Sequence, residues 1–142
     1  VQESSPVTSS GWVLPVSSVS VSSPYGWRAN PWGNDPSEFH DGIDLVGASG
    51  TSIYASKAGT VATTGYDASA GNYVIINHGD GYYSYYLHLS SFAVSTGQSV
   101  GQGSLVGGMG TTGNSTGVHL HFGIATSGSW SGFVDPAPLL GI

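Results

Sequence analysis

Apolar positions along this chain come in short runs rich in Val, Ile, Thr and Tyr, and glycines interrupt them every few residues. Both habits favour strands and turns over helices. Branched and aromatic side chains fit a pleated surface, and glycine weakens a helix interior. Ile53-Tyr54-Ala55 and Gly59-Thr60-Val61-Ala62 predict short strands, and Asn72-Tyr73-Val74-Ile75-Ile76-Asn77-His78 predicts a longer one. Gly79-Asp80-Gly81 is a turn by composition, with Tyr82 to Leu87 returning as the hairpin partner. Further strands are expected at Ser99-Val100, Leu105-Val106-Gly107 and His119 to Ile124. Segments 30–38, Gly65 to Gly71 and Gly108 to Gly117 read as loops. His78, just ahead of its turn, is expected to be a turn or surface residue. The fold class is therefore all-β: mainly antiparallel sheet, sandwiched or curled, with long loops and little helix.

At 142 residues the chain is long enough for one domain with a real core. Residues 1–11 are polar and are expected to be a flexible lead-in, which leaves 12–142 as the domain. No apolar run approaches the ~18–20 residues that a membrane span needs. There are no cysteines, so a disulfide framework and a cysteine–zinc site are both excluded. The sequence begins at Val1 without a Met or a signal peptide and reads as a processed or excised domain. Arg28 and Lys57 are the only basic side chains against eight acids, for a net charge of −6. With no basic stripe, nucleic acid is not an expected partner. The acidity by itself implies solubility rather than a ligand.

Chemistry concentrates in two segments, His40-Asp41-Gly42-Ile43-Asp44 and His119-Leu120-His121. His119 and His121 are two residues apart, so on a strand they share a face while Leu120 and Phe122 point to the core. That spacing permits both to bind a metal, or one to bind and one to stand beside it. Gly42 between His40 and Asp44 argues against a helix, so this pair is expected from a turn feeding a strand. Two imidazoles and one carboxylate can hold a divalent transition metal and leave a position open for water, as a catalytic site requires. His88 lies in a third segment, Tyr86-Leu87-His88-Leu89-Ser90.

In these segments the chain resembles the lysostaphin-like zinc endopeptidases, which cut peptide bonds in bacterial peptidoglycan. The matching text runs from Tyr25-Gly26-Trp27-Arg28 and His40-Asp41-Gly42-Ile43-Asp44-Leu45 to Gly50-Thr51-Ser52-Ile53-Tyr54-Ala55 and Ala58-Gly59-Thr60-Val61. It continues through Gly71-Asn72-Tyr73-Val74-Ile75-Ile76 and Tyr86-Leu87-His88-Leu89-Ser90, and closes on Gly113-Asn114-Ser115-Thr116-Gly117-Val118-His119-Leu120-His121-Phe122. Ordered blocks at these spacings are far more specific than a lone His-x-His. The resemblance implies an antiparallel sheet folded over a groove, with Zn2+ held by His40, Asp44 and His121. It also implies that His88 and His119 are active-site histidines. All five positions are occupied. Two departures stand out: Gly123 follows His-x-His-Phe where many members have Glu, and loop 29–39, a groove wall in the family, aligns with nothing. Substrate preference is therefore not carried over.

An amide is a poor electrophile, and a zinc ion supplies both carbonyl polarisation and an acidified water. With no His-Glu-x-x-His glutamate present, His119 is assigned as the base that takes the proton of that water. His88 is expected to orient the water or to stabilise the oxyanion, and the two roles could be exchanged or shared. Asn72, at a strand start, is a candidate for hydrogen-bonding the substrate backbone, with a plain turn role as its rival. Trp32 and Tyr66, both in expected loops, are candidates for lining the groove. Most other aromatics are expected to pack the sheet. The expected partner is peptidoglycan peptide, met by a monomer in the extracellular space or cell wall as part of a larger exported protein. Two other readings compete. A non-haem iron oxygenase would leave His88 and His119 without work. A non-catalytic wall-binding or regulatory domain of the same fold would not need an intact metal set.

Overall fold

The computed structural model describes residues 12–16, 21–23, 26–28, 38–40, 42–68, 70–79, 81–112, 118–128 and 132–136, with 21–23, 26–28 and 38–40 described through their backbone alone. Among the described residues the named elements are twelve strands: β1 (Val21–Ser23), β2 (Gly26–Arg28), β3 (Glu38–His40), β4 (Ile43–Val46), β5 (Ser52–Tyr54), β6 (Gly59–Asp67), β7 (Gly71–Asn77), β8 (Tyr83–Phe92), β9 (Ser99–Val100), β10 (Leu105–Met109), β11 (His119–Ala125) and β12 (Phe133–Val134). The main sheet runs in the order β1-β4-β11-β8-β7-β6-β9, with β10 joining β8 to β5 and β12 beside β11. Every pairing is antiparallel, and β2 and β3 form a separate ribbon. The all-β expectation holds. The expected lead-in at 1–11 lies outside the described residues.

The pleat separates two apolar clusters. Ile43 and Leu45, Val74 and Ile76, Tyr86, and Leu120, Phe122 and Ile124 point to one face, where they pack with Trp12, Val16, Ile53 and Met109. Ile75, Tyr85, Leu87 and Ala125 point to the other, against Tyr73, Tyr83 and Phe133. The middle of the sheet is thus covered on both sides. This is why β7 and β8 read as continuous apolar runs rather than as an alternation.

Three local expectations are corrected. Gly65 to Gly71 is not all loop. β6 extends to Asp67, because Gly65, Tyr66 and Asp67 pair with Tyr73, Asn72 and Gly71 of the next strand. Gly108 and Met109 likewise belong to β10, paired with Ser91 and Leu89. β8 does not stop at Leu87 but runs through His88 to Phe92. His78 lies in the turn after β7, as expected, with its backbone N–H donating to the Tyr82 carbonyl at 3.1 Å and its side chain half-buried. Its ring meets the Ala58 carbonyl through Nδ1 at 2.8 Å and the Ser84 hydroxyl through Nε2 at 2.9 Å, and lies edge-on to Trp12.

Behind His78, the fully buried Tyr86 hydroxyl accepts the Ser56 backbone N–H at 2.9 Å and lies 2.9 Å from Ser84 Oγ. Burial, against the opposite pull of those two hydrogen bonds, pushes the Tyr86 phenol up to about 12. An unfolded tyrosine loses its proton near pH 10. Between those values the folded chain holds a proton that the unfolded chain has lost, so stability falls as pH rises, by up to ~3 kcal/mol. Chemical denaturation from about pH 9 to about pH 12 should trace this decline, and Tyr86→Phe should shrink it. An unchanged alkaline slope in that variant would assign the decline to other groups.

Candidate active site

Asp44, the His119–His121 pair and His88 sit on β4, β11 and β8, three neighbouring strands of the main sheet. His119 and His121 alternate with buried Leu120 and Phe122 and so stand on the opposite face, as the spacing predicts. Asp44 lies between the core residues Ile43 and Leu45 and is directed to that same face. The register puts Asp44 directly opposite His121. Asp44 Oδ1 is 3.2 Å from His121 Nδ1 and 3.5 Å from His119 Nε2. One largely buried carboxylate therefore faces both imidazoles.

His88 arrives by a different device. Asn72 pairs with Leu89 while Val74 pairs with Tyr86, so Leu87 and His88 together face the single residue Tyr73. This bulge puts His88 at φ 65°, the only positive φ of a residue other than glycine among the described residues. A bulge bends its strand and re-aims a side chain. Before it, β8 pairs with β11 up to Leu87; after it, from Leu89 onward, β8 pairs with β10. The His88 ring consequently lies 4.9 Å from that of His119 and 6.2 Å from that of His121, centroid to centroid. A left-handed backbone at a residue other than glycine costs about 1–3 kcal/mol, and such strain clusters at functional sites.

The His88 Nδ1–H donates to the Thr112 carbonyl at 2.7 Å, because a carbonyl can only accept. Burial, foremost, and the neighbouring His119 and His121 hold this imidazole below the usual histidine range, against the Thr112 carbonyl and Asp44, which pull it up. A neutral ring with its proton on Nδ1 presents Nε2 as an acceptor.

Gly42 explains the spacing between His40 and Asp44. A Cβ built there would lie 2.6 Å from the Phe122 carbonyl oxygen and 2.7 Å from His121 Nε2. The turn between β3 and β4 therefore presses bare backbone against the His121 ring. His40 is the last residue of β3, with its backbone paired to Gly26, and its side chain lies outside the description. Among the residues whose side chains are described, no trio of His, Asp or Glu is spaced as metal ligands. The pair that is described fits one well. Two donors each ~2.0–2.1 Å from a tetrahedral zinc lie ~3.3 Å apart, whereas a charge-assisted N–H···O contact closes to ~2.7–2.9 Å. The 3.2 Å between Asp44 and His121 matches the first separation.

Asn72 donates from Nδ2 to the Leu89 carbonyl at 2.9 Å, so it ties the start of β7 to β8 on the rim of the site. Tyr66 pairs with Asn72 across β6 and β7 and is 66% exposed, a ring standing beside the histidine cluster's strands rather than in the core. Trp32 lies outside the described residues. Sequence reasoning missed Thr112, whose signal is slight, being one polar residue in the glycine-rich stretch before His-x-His.

Residues 38–133 match the model of Peptidase family M23. The chain is 44% identical over 89 residues to the peptidoglycan DD-endopeptidase ShyA of Vibrio cholerae, covering 63% of this chain and 21% of that protein. It is 39% identical over 106 residues to the DD-carboxypeptidase/endopeptidase Mpg of Neisseria meningitidis, covering 72% of this chain and 23% of that protein. It thus spans less than a quarter of the length of either relative. Among solved structures, the catalytic domain of the antimicrobial peptidase lysostaphin from Staphylococcus simulans superposes with a TM-score of 0.77 at 31% identity, covering 87% of this chain and 93% of that one. With the family model spanning most of the chain and every site strand inside it, the chain belongs to peptidase family M23.

Proposed function

We propose that this domain is a zinc-dependent endopeptidase that hydrolyses peptide bonds in the stem or cross-bridge peptides of bacterial peptidoglycan. The observation that carries the reading is the Asp44 carboxylate facing His121 and His119 at 3.2 and 3.5 Å, with His88 beside them. Family membership and the peptidoglycan-cleaving names of ShyA and Mpg support the substrate class. His40, Asp44 and His121 would hold the ion. When bound, zinc supplies a Lewis acid that polarises the scissile carbonyl and lets water lose a proton near neutral pH. His119, on the same strand face as His121, would serve as the base that takes that proton. His88, with Nδ1–H given to Thr112, would orient the water by accepting at Nε2 rather than donate to an oxyanion. Tyr66 and Asn72 would line the groove that receives the peptide, and Trp32 is the further candidate that the sequence offers. The domain acts as a monomer outside the cytoplasm, as part of a larger exported protein.

Chelation should abolish hydrolysis of purified walls, and stoichiometric zinc should restore it, since an open three-ligand site exchanges its ion. Mass spectrometry of muropeptides released from walls of known cross-bridge chemistry identifies the bond cut. Full activity in a verified metal-free sample would remove this mechanism.

A further inference from the structure

We infer that Thr112 is a positioning residue for His88, acting through its hydroxyl as well as its carbonyl; the inference rests on the peptidase reading of the site. The segment leaving β10 is tied to β8 and β11, the strands that carry His88, His119 and His121. Met109 pairs with Leu89 of β8, and Gly110 accepts the His119 backbone N–H at 3.1 Å. Two residues further, the Thr112 carbonyl accepts the His88 Nδ1–H. What fixes that carbonyl is the Thr112 side chain. Its Oγ1 donates to the Leu89 carbonyl at 2.8 Å and accepts the Asn72 backbone N–H at 3.0 Å. The hydroxyl therefore pins the loop to β7 and β8 at the Asn72–Leu89 pair, where the bulge ends.

Gly71 makes room for this. At φ 69°, its would-be Cβ would overlap both the carbonyl and the hydroxyl oxygen of Thr112. Within the bulge itself, the His88 backbone N–H donates to the Ala70 carbonyl at 2.8 Å. His88 is thus held at its backbone by the β6–β7 turn and at its ring by Thr112. Removing the hydroxyl leaves the carbonyl in the chain but frees its position. The imidazole proton is then no longer bound to choose Nδ1, and the acceptor at Nε2 is no longer guaranteed. An outer partner that sets a histidine's tautomer is worth on the order of 10–100-fold in function.

The test compares Thr112→Val, which keeps the shape and loses the hydroxyl, with Thr112→Ser, which keeps the hydroxyl. Nitrogen-15 NMR of the His88 imidazole in the metal-free protein reads the tautomer directly. The native protein and Thr112→Ser should show the neutral ring protonated on Nδ1, and Thr112→Val a mixture of tautomers. With zinc bound, Thr112→Val should keep its metal stoichiometry and KM while kcat falls on the order of 10-fold, and Thr112→Ser should restore kcat. Should Thr112→Val not fold, Thr112→Ala carries the same comparison. A His88 ring that keeps the native tautomer in the hydroxyl-free variants overturns the inference, as does failure of Thr112→Ser to restore kcat. If the native domain hydrolyses no peptide, the peptidase reading fails while the tautomer measurement still decides the role of Thr112.

Discussion

His121→Ala is expected to lose zinc and hydrolysis together, whereas His119→Ala keeps one zinc per chain and loses turnover by on the order of 10²–10⁴-fold. The two side chains share a strand face and a carboxylate, so exposure does not separate them. Register does. His121 is the residue directly opposite Asp44, and its Nδ1 holds the shorter contact, at the separation two zinc donors would have. His119 pairs one step further along, opposite Val46, with its ring against that of His88. That placement favours proton transfer beside the ion. Metal analysis of both variants after gel filtration, with rates on a soluble peptide, checks the division. Loss of zinc from His119→Ala as complete as from His121→Ala would overturn it.

Gly42→Ala should disable the site without replacing any proposed ligand. A methyl group there has no space: the Phe122 carbonyl oxygen and His121 Nε2 both fall within 2.7 Å of it. The carbonyl belongs to the backbone of a central strand, so the imidazole is the part able to yield. Shifting a ligand in this way costs on the order of 10–100-fold in metal affinity. Overpacking against the strand adds about 1–3 kcal/mol of destabilisation. Zinc affinity by chelator competition and stability by denaturant titration report the two effects separately. Native zinc affinity in a folded Gly42→Ala would show that the turn tolerates a side chain.

The glycine in His-x-Gly-x-Asp is therefore a steric requirement, and the sequence could suggest only that it forbids a helix. The same limit applies to Thr112 and to the network behind it. Ser56, Ser84 and Tyr86 are far apart or unremarkable along the chain, yet they share one buried hydroxyl. For Asn72 the sequence shows a polar residue at a strand start, and the structure adds that its amide nitrogen donates to the Leu89 carbonyl.

What the sequence determined is what depends on near neighbours. Branched and aromatic runs broken by glycine specify strands and turns. A period of two specifies that His119 and His121 share a face while Leu120 and Phe122 fill the core. The ordered motifs specify the family. What the tertiary structure alone decided depends on pairing between distant strands. The strand containing His88 continues beyond Leu87 because β10 takes over from β11 as its neighbour, and on its other edge the pairing with β7 slips by one residue, leaving the bulge and the left-handed backbone at His88. No local pattern encodes that, since a bulge arises from a mismatch of registers between strands. The tautomer of His88 belongs to the same class: it is set by a carbonyl twenty-four residues away, brought beside it only when β7, β8 and the loop after β10 close together.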